Sequence, residues 1–122
     1  MRILVVDDSS LMRHTIRTEL EKGGYEVEEA KDGSEALRMV FRLKNKLDLV
    51  TLDVEMPKLD GFETCGILQT EKYQEIFKSK EGKNIPIVFI TSNDTIEDRV
   101  RGFELGATEF ISKSFIETDL LS

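Results

Sequence analysis

Ile3-Leu4-Val5-Val6-Asp7-Asp8 and Leu49-Val50-Thr51-Leu52-Asp53 decide the fold, because each is a run of apolar and β-branched residues that ends in acid. Ile87-Val88-Phe89-Ile90-Thr91 has the same form, with a hydroxyl where the others carry a carboxylate. Unbroken apolar runs of this length read as strands covered on both faces, the condition of central strands in a parallel sheet. The segments between them carry helical spacing. Met12, Ile16 and Leu20 recur one turn apart and give way to Gly23-Gly24, a helix and its stop.

Tyr25-Glu26-Val27-Glu28 alternates apolar and polar residues, as an edge strand does. Asp32-Gly33 turns the chain, and Ser34 is predicted to cap a second helix carrying Ala36, Leu37, Val40 and Phe41. A third helix begins near Gly61-Phe62 and holds Ile67 and Leu68; the polar stretch from Lys78 to Asn84 breaks it before the fourth strand. A fourth helix, capped by Asn93, Asp94 or Thr95, is predicted to turn Ile96, Val100 and Phe103 inward and to close at Gly106. Thr108 to Ser112 forms a short fifth strand, and a last helix starts near Phe115. Strands alternating with helices predict an α/β fold, a doubly wound parallel sheet of order 2-1-3-4-5 flanked by five helices, with the polar second and short fifth strands at its edges.

At 122 residues, 39% of them hydrophobic, the chain is read as one domain, residues 1–122. The first strand follows Met1-Arg2 directly, which leaves no room for a leader, and no apolar run approaches the length of a membrane span. A single cysteine, Cys65, excludes an internal disulfide. These features favour the cytoplasm. With 24 acidic against 17 basic residues the net charge is −7, which argues against direct nucleic-acid binding by this domain.

In open α/β sheets ligands sit beyond the carboxyl ends of the strands. Those ends carry Asp7 and Asp8, then Asp53, then Thr91, then Lys113. An adjacent Asp pair by itself is a common helix cap, and a lone strand-end Asp or Lys a common turn or surface residue. Convergence on one rim is what changes the reading. Two carboxylates about 4 Å apart repel by about 4 kcal/mol at an effective dielectric near 20, so the rim needs protons, a cation or both. Magnesium suits carboxylates combined with a carbonyl, waters and a phosphate oxygen, and Lys113 adds a fixed positive charge. Such a cradle serves phosphoryl transfer, where positioning and charge neutralisation dominate.

With those residues placed, the chain resembles the response-regulator receiver domains of two-component signalling, which are flavodoxin-like. Ile3 to Asp8 matches the family's first strand and acidic pair; Asp53-Val54-Glu55-Met56-Pro57 with Asp60-Gly61 matches its phosphoacceptor segment; Thr91-Ser92 and Lys113 match the other two signatures. The resemblance implies that Asp53 takes phosphoryl from the phosphohistidine of a sensor histidine kinase or phosphotransfer protein. It implies Mg2+, with Mn2+ or Ca2+ as substitutes, held by Asp7, Asp8, Asp53 and the backbone carbonyl of Glu55. It further implies that Thr91 and Lys113 bind the phosphoryl oxygens, that Thr91 and Phe110 form the switch, and that Glu55 and Asn93 tune the lifetime. The face made by the helix after the fourth strand, the fifth strand and the last helix would then address an output domain or target protein.

Three departures matter. Ser114 replaces a usual proline, so a trans Lys113-Ser114 bond is predicted, since a cis bond before a non-proline costs about 2.5–4 kcal/mol. Phe110 lacks a hydroxyl, so its states differ by packing alone. The segment between Gly61 and Pro86 is longer than in the simplest members, read as a longer third helix or an extended loop. A last helix of barely two turns predicts a receiver part of a longer regulator, truncated in or just after that helix. His14 reads as an exposed helix residue and Cys65 as a small core hydrophobe. The alternatives are a receiver-like scaffold that is not phosphorylated, or an aspartyl-phosphate phosphohydrolase; against the latter, Asp53-Val54-Glu55 is not its Asp-x-Asp pattern.

Overall fold

The computed structural model describes residues 1–92 and 94–114. Its strands are β1 (Arg2–Val6), β2 (Glu26–Ala30), β3 (Leu49–Asp53), β4 (Ile87–Thr91) and β5 (Glu109–Ser112). They form one parallel sheet of order β2-β1-β3-β4-β5, as the apolar runs predict. The helices are α1 (Ser10–Lys22), α2 (Gly33–Leu43), α3 (Gly61–Leu68), α4 (Glu71–Gln74) and α5 (Ile96–Glu104). The last helix expected near Phe115 lies outside the described residues. Among the described residues no helix is long and apolar enough to cross a membrane.

Strand alternation divides the core into two layers. Ile3, Val5, Val27 and Ile90 face α1 through Met12 and Ile16. Leu4, Val6, Val50, Leu52, Phe89 and Phe110 face the other way, against α2 and α3 through Ala36, Val40, Phe62, Cys65 and Leu68. Burying a Val, Leu, Ile or Phe side chain is worth roughly 1.5–3 kcal/mol, and this second layer holds most of the buried residues.

Three local expectations are corrected. Asp32, not Ser34, caps α2, with its Oδ1 accepting from Glu35 N at 2.7 Å. The Phe41 ring of that helix is 46% exposed, edge-on to Tyr73. On α5 the residues predicted to face inward point outward: Ile96 is 78% exposed, Val100 50% and Phe103 46%. The buried residue there is Gly102, where a Cβ would lie 3.1 Å from Phe110 and 3.2 Å from Phe89. Rings projecting from the sheet fill the space a helix side chain would occupy, so the inward face is the one with no side chain. Thr95 is the cap, accepting from Asp98 N at 3.1 Å.

The third correction concerns the long segment before β4, where the longer third helix, one of its two readings, does not form. The third helix is not extended; it ends at Leu68, and α4 follows after two residues. Tyr73, Phe77 and Ile85 from this segment are buried in the larger core layer. Beyond α4, Lys78 and Asn84 form an isolated antiparallel bridge. The insertion therefore anchors itself by apolar burial and leaves Lys72, Lys80 and Lys83 exposed.

Candidate functional site

Register brings the site together. Val6 pairs with Leu52, so Asp7 and Asp53 are neighbours at the ends of β1 and β3. Asp53 pairs with Ile90, which puts Thr91 one step further on, and Thr91 pairs with Ser112, the residue before Lys113. One carboxylate oxygen from each of Asp7, Asp8 and Asp53 lies within 4.8 Å of the other two. Asp7 and Asp53 are buried and Asp8 is exposed. Thr91 is fully buried at its strand end.

Lys113 binds the two buried acids together. Its Nζ is 3.0 Å from Asp7 Oδ2 and 3.2 Å from Asp53 Oδ2. Burial works against its charge, but the carboxylates of Asp7 and Asp53 outweigh it and hold the ammonium above its ordinary pKa. Burial first, and then the Asp7 charge, push the Asp53 carboxyl up to about 7 against the pull of Lys113. Although Lys113 is at ion-pair distance, neither Asp53 oxygen accepts an aligned hydrogen bond from the described residues. A buried anionic oxygen without donors is strongly disfavoured. An all-oxygen donor set with this deficit is what a hard divalent cation such as Mg2+ relieves, so the residues fit that ion.

The β3–α3 connection wraps one side of the site. Asp60 and Glu63 form a reciprocal capping box, with bonds of 2.8 and 3.1 Å. It seats Gly61 so close to the end of β3 that a Cβ there would lie 2.1 Å from the Asp53 carbonyl oxygen. A cleft of about 560 Å3 opens beside it, lined by residues that include Asp8, Glu55, Asp60, Asp98 and Arg101. Arg101 lies over the Phe62 ring at 4.4 Å.

The predicted residues Asp7, Asp8, Asp53 and Lys113 thus meet, Thr91 lies at the same rim, and Glu55 is an exposed wall of the cleft. Asn93 lies outside the described residues. Phe110 is buried, tilted against Phe89 at 5.8 Å, and Phe89 in turn meets Phe62 at 5.3 Å. No peptide bond among the described residues is cis, so Lys113-Ser114 is trans. The amide that a proline would lack donates from Ser114 N to Ser112 Oγ at 3.3 Å, and the two serine hydroxyls are 2.7 Å apart. His14 is exposed, while Cys65 is buried with its thiol pushed up by burial.

Sequence reading passed over the groups that hold Asp7. Ser9 N donates to its Oδ1 at 2.8 Å, and Arg13 Nη1 donates to its backbone oxygen at 2.7 Å. The only signal in the sequence was a basic residue one turn into the helix after the acid pair, and its partner Glu29 lies on a different strand.

Residues 3–122 match the response regulator receiver domain family. The response regulator MprA of Mycobacterium leprae is 40% identical over 122 residues, which are all of this chain and 48% of that protein. The chain therefore spans about half the length of this relative. The structure of chemotaxis protein CheY4 of Vibrio cholerae aligns with a TM-score of 0.79 at 33% identity, covering 98% of this chain and 92% of that one. Response regulator protein TrrA of Thermotoga maritima, in complex with Mg(2+)-BeF, aligns at 0.74 and 33% identity over 93% of this chain and 87% of that one. Fold, rim chemistry and likeness agree: the chain belongs to the response-regulator receiver domains, the switch modules of two-component signalling.

Proposed function

We propose that Asp53 is the phosphoacceptor and that the chain takes a phosphoryl group from the phosphohistidine of a sensor kinase or phosphotransfer protein. A carboxylate oxygen of Asp53 attacks phosphorus, the phosphorus–nitrogen bond breaks, and its electron pair returns to the imidazole. The observation that carries this reading is a buried carboxylate whose oxygens accept no aligned hydrogen bond from the described residues, facing two further carboxylates and an ammonium at the strand ends. Asp7, Asp8, Asp53 and the Glu55 carbonyl would hold Mg2+, which when bound neutralises charge on the transferring group. Lys113 pairs with one phosphoryl oxygen and the Thr91 hydroxyl donates to another. Thr91 then passes its displacement to Phe110 through packing alone, since that ring has no hydroxyl. Glu55, at the cleft wall, and Asn93 influence the water that ends the phosphorylated state. The output partner or domain reads the α5–β5 face, and the domain is the receiver part of a longer cytoplasmic regulator.

Incubation with a small acyl phosphate and Mg2+, followed by intact-mass analysis, tests the assignment. One phosphoryl group per chain, lost with chelator and with Asp53→Asn, is the expected result. An adduct that survives Asp53→Asn removes the nucleophile assignment. Absence of any adduct favours a scaffold, and many turnovers of release favour a hydrolase.

A further inference from the structure

We infer that Arg13 is a positioning residue for the cation site, acting through the backbone of Asp7, an inference that rests on the metal-binding reading above. Asp8 carries the exposed carboxylate of the acidic cluster, and among the described residues that carboxylate makes no hydrogen bond or ion pair. Its placement depends on the backbone that delivers it. The carbonyl of Asp7 belongs to the peptide plane joining Asp7 to Asp8, so whatever fixes that oxygen fixes the direction in which Asp8 leaves.

Arg13 fixes it. Its Nη1 donates to Asp7 O at 2.7 Å, while its Nε donates to Glu29 Oε1 at 3.0 Å. Glu29 is itself clamped, because its other oxygen accepts from Arg17 Nη1 at 2.6 Å. Next to Glu29 on β2, Ala30 O accepts from Asp7 N at 3.1 Å. The end of β2 thus holds Asp7 on both sides, at the amide directly and at the carbonyl through Arg13. The Arg13 side chain is only 18% exposed, so the arrangement is shielded from competing water. Arginine suits the task because its planar fork reaches two acceptors in fixed geometry, which a lysine ammonium on a flexible stem cannot reproduce.

Charge and geometry make opposite predictions here. A guanidinium beside a cation site repels the incoming ion, so on charge alone its removal tightens binding. If Arg13 acts by position, removal weakens binding, because ligands without their outer hydrogen bonds typically lose 10–100-fold in metal affinity.

The test measures Mn2+ affinity by the electron paramagnetic resonance signal of free ion, for the parent, Arg13→Met and Arg13→Lys. Conditions are chosen so that circular dichroism shows each metal-free protein folded. The expected result is about tenfold weaker binding for Arg13→Met and a several-fold loss for Arg13→Lys, which keeps the charge. Affinity equal to or tighter than the parent in the variants overturns the inference. Should Arg13→Met fail to fold, Arg13→Lys decides, because a charge role leaves it at the parent value. Asp8→Asn and Asp53→Asn run in parallel: if they abolish parent binding while the Arg13 variants match the parent, only this inference falls. A parent that binds no Mn2+ overturns the cation-site reading and this inference with it.

Discussion

Replacing Asp53 by Asn is expected to stabilise the metal-free fold, and to do so only above mildly acidic pH. The Asp53 carboxyl rises from 3.8 to about 7 on folding, so the native state holds a proton that the unfolded chain has released. Stability therefore falls as pH rises through that window, by about 1.36 kcal/mol per unit, and the full penalty of about 4 kcal/mol stands above pH 7. The side chain is 2% exposed, so solvent does not discount the figure. The Asn variant removes the titration, but it keeps a buried polar group at that place and leaves Lys113 with the charge of Asp7 alone. A gain of about 2–4 kcal/mol near pH 8.5, shrinking to about zero near pH 4, is expected. The chain has no tryptophan, so urea unfolding in chelator is followed by far-ultraviolet circular dichroism. Mg2+ should then narrow the gap by stabilising the parent, since a ligand raises stability only where it binds. A difference between the proteins that does not change with pH, or a variant less stable near pH 8.5, would refute the link between burial and charge at Asp53.

The same carboxyl sets a pH dependence for the cation. Because Asp53 must lose its proton to bind, Mg2+ affinity should fall by about tenfold per unit as pH drops below about 7, read by calorimetry; a flat profile across that range would contradict it. Gly61→Ala places a methyl 2.1 Å from the Asp53 carbonyl oxygen, a contact that only backbone movement relieves. About 3 kcal/mol of destabilisation is expected, with slower formation of the phosphoryl adduct; unchanged thermal stability would show that the β3–α3 connection is looser than described.

The site was legible because parallel pairing makes it so. Once Ile3–Val6, Leu49–Leu52 and Ile87–Ile90 read as central strands, their carboxyl ends must share one rim, and Asp7, Asp53 and Thr91 follow without knowledge of any side-chain contact. Elements whose orientation depends on a distant neighbour were not legible. The apolar spacing of Ile96, Val100 and Phe103 is real, yet the sheet offers the rings of Phe89 and Phe110 at that place, and only Gly102 leaves them room. The long segment before β4 carried no local sign that Tyr73 and Phe77 would be buried far from their sequence neighbours.

Sequence by itself determined the strand order and the composition of the acidic rim, because these follow from the alternation of apolar runs with helical segments and from the chirality of a doubly wound sheet. Only the tertiary structure decided which side chains restrain that rim. Lys113 bridges Asp7 and Asp53, and Arg13 reaches back from α1 to the Asp7 carbonyl while braced by Glu29 on a neighbouring strand. Such contacts join residues far apart in the chain, and their geometry depends on packing distances that no local pattern encodes.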